Sequence, residues 1–113
     1  MIKLIVIIKR NADMSPAEFH RYWRQEHSTK VRSLAATAKY IRRYVQAHTL
    51  DSEYAGDGPA YDGTAELWFD SVADKDAFYS DPEYLAVVAP DERVFADMEQ
   101  TRFLVTHEED VIG

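Results

Sequence analysis

A chain of 113 residues supports one domain around one modest core. At 46% hydrophobic and 29% charged residues it has the composition of a folded protein, not a disordered one. A formal net charge of −7, from 20 acidic against 13 basic residues, argues against nucleic acid as the main partner, and the absence of cysteine excludes disulfides, thiolate nucleophiles and cysteine metal sites.

The chain opens with a strand over residues 2–9. Ile2, Leu4, Val6 and Ile8 share one face, and Ile5 and Ile7 the other. A strand apolar on both faces predicts that the second face of the sheet is also covered, in so short a chain by another subunit. The apolar run from Leu4 to Ile8 is too short to span a membrane and lacks a cleavage pattern, so a cytoplasmic location is expected.

Ser15, Pro16 and Glu18 form an N-cap, a first-turn proline and a capping-box acid. The helix they start is predicted to reach Glu26, with Ser28 recapping a second stretch through Ala38. Phe19, Trp23 and His27 recur every four residues along it. Strand two spans Tyr40 to Thr49. Alternation puts Ile41, Arg43, Val45 and Ala47 toward the helices. It leaves Arg42, Tyr44, Gln46 and His48 on a polar, aromatic face suited to a cavity wall or an interface. Residues 51–62 form a long loop with two glycines, either a functional lid or contact, or an insertion without a role. Strand three covers Gly63 to Phe69. Ser71 and Asp81-Pro82 cap two further helices, Asp91 to Met98 forms a last helical segment, and strand four runs from Thr101 to Thr106. The order is strand, helix, strand, strand, helix, strand: an α+β, ferredoxin-like βαββαβ arrangement in a single domain, residues 1–113.

His27 is the prime proton-exchanging candidate, because imidazole titrates near neutrality. Its alternative is a helix-end histidine held by the dipole or by backbone. Tyr44 suits hydrogen bonding to a substrate oxygen, or packing across a subunit interface. Arg42 suits an anionic group, and the cluster it forms with Lys39 and Arg43 also reads as a solvated face. Glu66 needs a cationic partner, with Arg43 the nearest choice. Asp91 and Asp97 read as caps of short helical turns. No histidine pair has metal-site spacing, and no phosphate loop, dinucleotide fingerprint or serine elbow is present. No metal or cofactor is therefore expected.

Four pieces in register resemble the EthD family. They are Phe19-x-x-Tyr22-Trp23-x-x-x-His27, Arg43-Tyr44-Val45-Gln46-x-His48, Asp62-Gly63-x-Ala65-Glu66-x-Trp68-Phe69, and Phe103-Leu104-Val105 before an acidic tail. The resemblance implies a ferredoxin-like subunit that pairs through its sheet into a dimeric α+β barrel enclosing a cavity. It implies cofactor-free proton-transfer chemistry of isomerase, cyclase, dehydratase or decarboxylase type on a hydrophobic oxygenated ring compound or polyketide-like substrate. The alternative is a non-catalytic small-ligand-binding or accessory protein of a degradative or biosynthetic pathway. The catalytic positions carry over onto His27 and Tyr44. Arg42, Trp23, Leu67, Phe69 and His48 are the expected substrate contacts. Leu67 stands where the similar methylmuconolactone isomerases place a reactive cysteine, which leaves a wall suited to gripping an apolar ring.

Overall fold

The computed structural model describes residues 1–113. Four antiparallel strands, β1 (Ile2–Ile8), β2 (Ile41–His48), β3 (Gly63–Phe69) and β4 (Arg102–Thr106), form one sheet in the order β2-β3-β1-β4. Leu4, Val6 and Ile8 of β1 and Ala65, Leu67 and Phe69 of β3 are buried beneath the helices. The expected strand–helix–strand–strand–helix–strand order is present, with each helical stretch broken into shorter pieces. No helix is long and apolar enough to cross a membrane.

The barrel is not. The sheet is open: β2 and β4 lie at opposite edges, and neither pairs with a further strand. Four strands are too few to curl round and close, since a barrel with a filled interior takes about eight.

The first helical stretch differs from expectation in an informative way. Ser15 caps it, accepting from the Glu18 amide at 3.2 Å. Only that half of the capping box forms. Helix α1 (Pro16–Arg21) then widens into a π-helical segment, Tyr22–His27, and continues as α2 (Ser28–Ser33). Ser28 is thus no new cap. Its hydroxyl donates to the Trp23 carbonyl at 3.0 Å, and Gln46 Nε2 donates to the same oxygen at 3.1 Å. A π-turn moves carbonyls out of the usual i→i−4 ladder, and side chains here occupy one of them. After α3 (Ala35–Tyr40), β2 and a short 3₁₀ turn (Asp51–Tyr54), the second helical stretch repeats the pattern. Helix α4 (Val72–Tyr79) is capped by Ser71. A π-helical segment, Tyr84–Val88, leads into α5 (Ala89–Phe95). Asp81 caps the approach, accepting from the Glu83 and Tyr84 amides at 3.1 Å each.

The faces of β2 are reversed from the expected ones. A bulge between Ile41 and Arg43 places two steps of β2 against one of β3, so Ile41 opposes Phe69 while Arg43 opposes Trp68. Tyr44, Gln46 and His48 consequently share the helix side with Leu67, Ala65 and Gly63. Arg43, Val45 and Ala47 face away. The expected Arg43–Glu66 pair does not form. Lys3 binds Glu66 at 2.5 Å, and Arg43 instead lies over the Trp68 ring at 4.7 Å.

Trp23, fully buried, packs directly on the bare backbone of Gly63. A Cβ there would meet the Ala47 carbonyl at 2.5 Å and the Trp23 ring at 2.7 Å. Gly63→Ala should therefore lower stability by about 1–3 kcal/mol, the usual cost of overpacking. Urea unfolding checks this; a midpoint unchanged from wild type would contradict the contact.

Candidate active site

The wide turn places His27 at the base of the first helical stretch, buried and facing α5. Its Nδ1 lies 2.8 Å from Asp91 Oδ2, and the ring packs on Phe95 at 4.6 Å between centroids. Asp91, 4% exposed, is a hub: Lys30 Nζ reaches its Oδ1 at 2.7 Å, and the Tyr22 hydroxyl donates to the same oxygen. Burial pushes the Asp91 carboxyl upward, but the hydrogen bonds from Lys30, Tyr22 and His27 outweigh it and hold it below its ordinary range. Burial pushes His27 down more strongly than Asp91 raises it, so the imidazole is neutral at neutral pH. The carboxylate can only accept, which fixes the proton on Nδ1 and leaves Nε2 as a free acceptor. No protein group bonds Nε2. Asp91 is the residue that sequence reasoning missed. Its reading as the cap of a short helical turn hid its role as partner to His27.

His27 lines a cavity of about 40 Å³ between the sheet and the helices. Fourteen of its seventeen lining residues are hydrophobic, so it is a dry pocket with few polar atoms. Trp23, Tyr44 and Leu67 line the same cavity. The Tyr44 oxygen accepts from Gln46 Nε2 at 3.1 Å, which leaves its proton free for a ligand; burial pushes its pKa up. Glu92 also lines the cavity and was not anticipated. Its Oε1 accepts from the Tyr84 hydroxyl at 2.6 Å, and burial raises its pKa.

Three expected contacts lie elsewhere. Phe69 is core, packed against Phe78 and Tyr79. Arg42, turned outward at the bulge, grips Asp70 through Nε and Nη2 at 3.0 and 2.9 Å. His48 stacks on the far side of Trp23 at 4.3 Å and joins a second polar chain. There, His48 Nε2 meets Gln46 Oε1 at 2.8 Å, and the Nδ1 atoms of His48 and His20 stand 2.7 Å apart. His20 Nε2 reaches the Tyr54 hydroxyl at 2.9 Å, and Tyr54 donates to the buried Asp62 at 2.7 Å. This chain fastens the loop of residues 51–62 to α1. No group of three or more histidines and acids is arranged to hold a metal ion.

Burial, His20 and Arg24 together push His48 down to about 4. A histidine depressed in the folded state stabilises the fold above its unfolded value, and that contribution is lost as pH falls through the folded one. The His48 ring signals should stay those of a neutral imidazole down to about pH 4 in an NMR titration; protonation near 6.5 would contradict this environment. Asp91→Asn removes the carboxylate that supports protonated His27. It should lower the His27 pKa further and destabilise the chain by about 1–3 kcal/mol, the scale of weakened buried hydrogen bonds.

Residues 11–99 match the model of the EthD domain. No curated protein sequence matches the chain. Among solved structures, an ethyl tert-butyl ether degradation (EthD) family protein from Bacillus halodurans superposes with a TM-score of 0.71 at 16% identity, over 96% of this chain and 99% of that one. A dimeric ferredoxin-like protein of unknown function from Bacteroides fragilis gives a TM-score of 0.68 at 16% identity, over 95% of each chain. SnoaB, a cofactor-independent oxygenase from Streptomyces nogalater, gives 0.64 at 10% identity, over 98% of this chain and 95% of that one. At such identities these likenesses speak to the fold alone, whereas the domain match spans most of the sequence: the chain belongs to the EthD family.

Proposed function

We propose that this protein binds a small, largely apolar, oxygenated ring compound in the cavity between its sheet and its helices. The observation that carries this reading is the cavity itself: mostly apolar walls, with His27, Glu92, Thr101 and the hydroxyls of Tyr44, Tyr79 and Tyr84 as its polar points. A water needs roughly 10–15 Å³ of such space and takes about 30 Å³ of liquid. The cavity of about 40 Å³ holds a few waters and is well short of the roughly 150 Å³ that admits benzene. Even a single ring therefore enters only as the helices move apart. Titration with phenol, followed by NMR, should shift the Trp23 indole and His27 ring signals while leaving Trp68, on the opposite sheet face, unmoved. No shift at either position overturns the reading.

The second reading is catalytic and is favoured by one specific feature, the His27–Asp91 pair. A neutral imidazole held by a carboxylate with Nε2 free is a competent general base. It would take a proton from a carbon next to a carbonyl, while the Tyr44 hydroxyl donates to the developing oxyanion. Isomerisation, cyclisation, dehydration and decarboxylation all can begin in this way. Deuterium exchange into cyclohexanone in D2O tests it: the protein should accelerate exchange, and His27→Ala should slow it by about 10²–10⁴-fold. Binding of phenol without any such exchange leaves the protein a ligand carrier or accessory component.

The proposed working unit is a homodimer. Ile5, Ile7, Val45 and Leu104 occupy the sheet face away from the helices, with Leu104 49% exposed. A single chain leaves this apolar face to water, and the similar Bacteroides fragilis protein is described as dimeric. Light scattering should give twice the chain mass, and Leu104→Asp should give the monomer; a monomeric wild type overturns the assignment.

A further inference from the structure

The cavity's polar atoms differ in what they can offer a ligand. His27 Nε2 is an acceptor, because Asp91 holds the ring proton on Nδ1. Glu92 has one oxygen bonded to Tyr84 and the other without a protein partner, a second acceptor. Tyr44 supplies a free O–H, and Tyr79, whose hydroxyl has no protein partner, a second. No lysine or arginine lines the space. The nearest obvious anion binder, Arg42, is committed to Asp70 outside it, and Lys30 is committed to Asp91. A ligand carboxylate entering here would lose its water, find no cation, and meet a second carboxyl group. A hydroxyl would donate to one acceptor and accept from Tyr44.

On the reading that this cavity binds a small ring compound, we propose that it selects uncharged hydroxylated rings over their carboxylate counterparts, and that Glu92 is the residue that sets this preference. Glu92 acts here on ligand choice and does not touch a reacting atom. The Tyr84 hydroxyl and the apolar wall hold its carboxyl in the cavity. Exclusion of an anion then follows from an acid placed among hydrocarbon, without steric rejection.

The test pairs phenol with benzoate, rings of similar size that differ in charge at neutral pH, titrated by NMR on the Trp23 and His27 signals. In the wild type, phenol should bind at least about a hundredfold more tightly than benzoate, the scale expected for an unpaired buried charge. Glu92→Gln keeps the shape and still accepts from Tyr84. It should narrow the phenol-to-benzoate gap by about tenfold, mainly through tighter benzoate binding. Benzoate binding as tightly as phenol to the wild type overturns the selectivity while leaving the binding reading intact. A Glu92→Gln protein with an unaltered ratio overturns the role of Glu92. Failure of both probes to bind the wild type overturns the binding reading, and this inference with it. The wild-type comparison stands even where the variant does not fold.

Discussion

The Asp91 carboxylate is the constraint on which the interior depends. It is buried, so its charge is tolerable only because His27, Lys30 and Tyr22 all donate to it. Those three come from the first helical stretch and Asp91 from the last, so one carboxylate ties the two helical stretches together beside the cavity. The same contact decides the chemistry. It orients the imidazole, selects its tautomer and turns the free nitrogen into an acceptor. Architecture and reactivity rest here on one hydrogen-bonded cluster.

The two π-helical segments are the means by which the helices deliver their side chains to that cluster. Tyr22, Trp23 and His27 all come from the first, and the second, Tyr84–Val88, brings Tyr84 to Glu92. A π-turn carries one more residue than an α-turn and leaves carbonyls without a ladder partner. The Trp23 carbonyl is answered by Ser28 and by Gln46 of the sheet, so the irregularity also bonds helix to strand. The cavity sits beside these turns.

Much of the fold was legible in the sequence, and the parts that were not have physical explanations. The alternation of Leu4, Val6 and Ile8, the caps at Ser15, Ser71 and Asp81, and the element order all rest on local chemistry, and they hold. His27, Trp23, Tyr44 and Leu67, singled out from the sequence, stand around one cavity. The faces of β2 were misread because strict alternation assumes no bulge, and nothing in Ile41-Arg42-Arg43 announces one. Asp91 and Glu92 were overlooked because acids in a first helical turn already have a local explanation. The closed barrel failed for a different reason: whether sheet edges meet is a property of the whole sheet, invisible to any strand taken singly.

The bulge at Arg42 has an evolutionary side. With the extra residue, Ile41 and Tyr44 both reach the helix side although three positions apart. Were Arg42 deleted, regular alternation would leave the same two residues inward, with Arg43 still opposite Trp68. Only the Asp70 ion pair at the surface would go. The cavity is thus indifferent to a one-residue change in chain length at this point. A chain one codon shorter here would keep the same interior, so length at this point is free to change while the inward side of the strand is not.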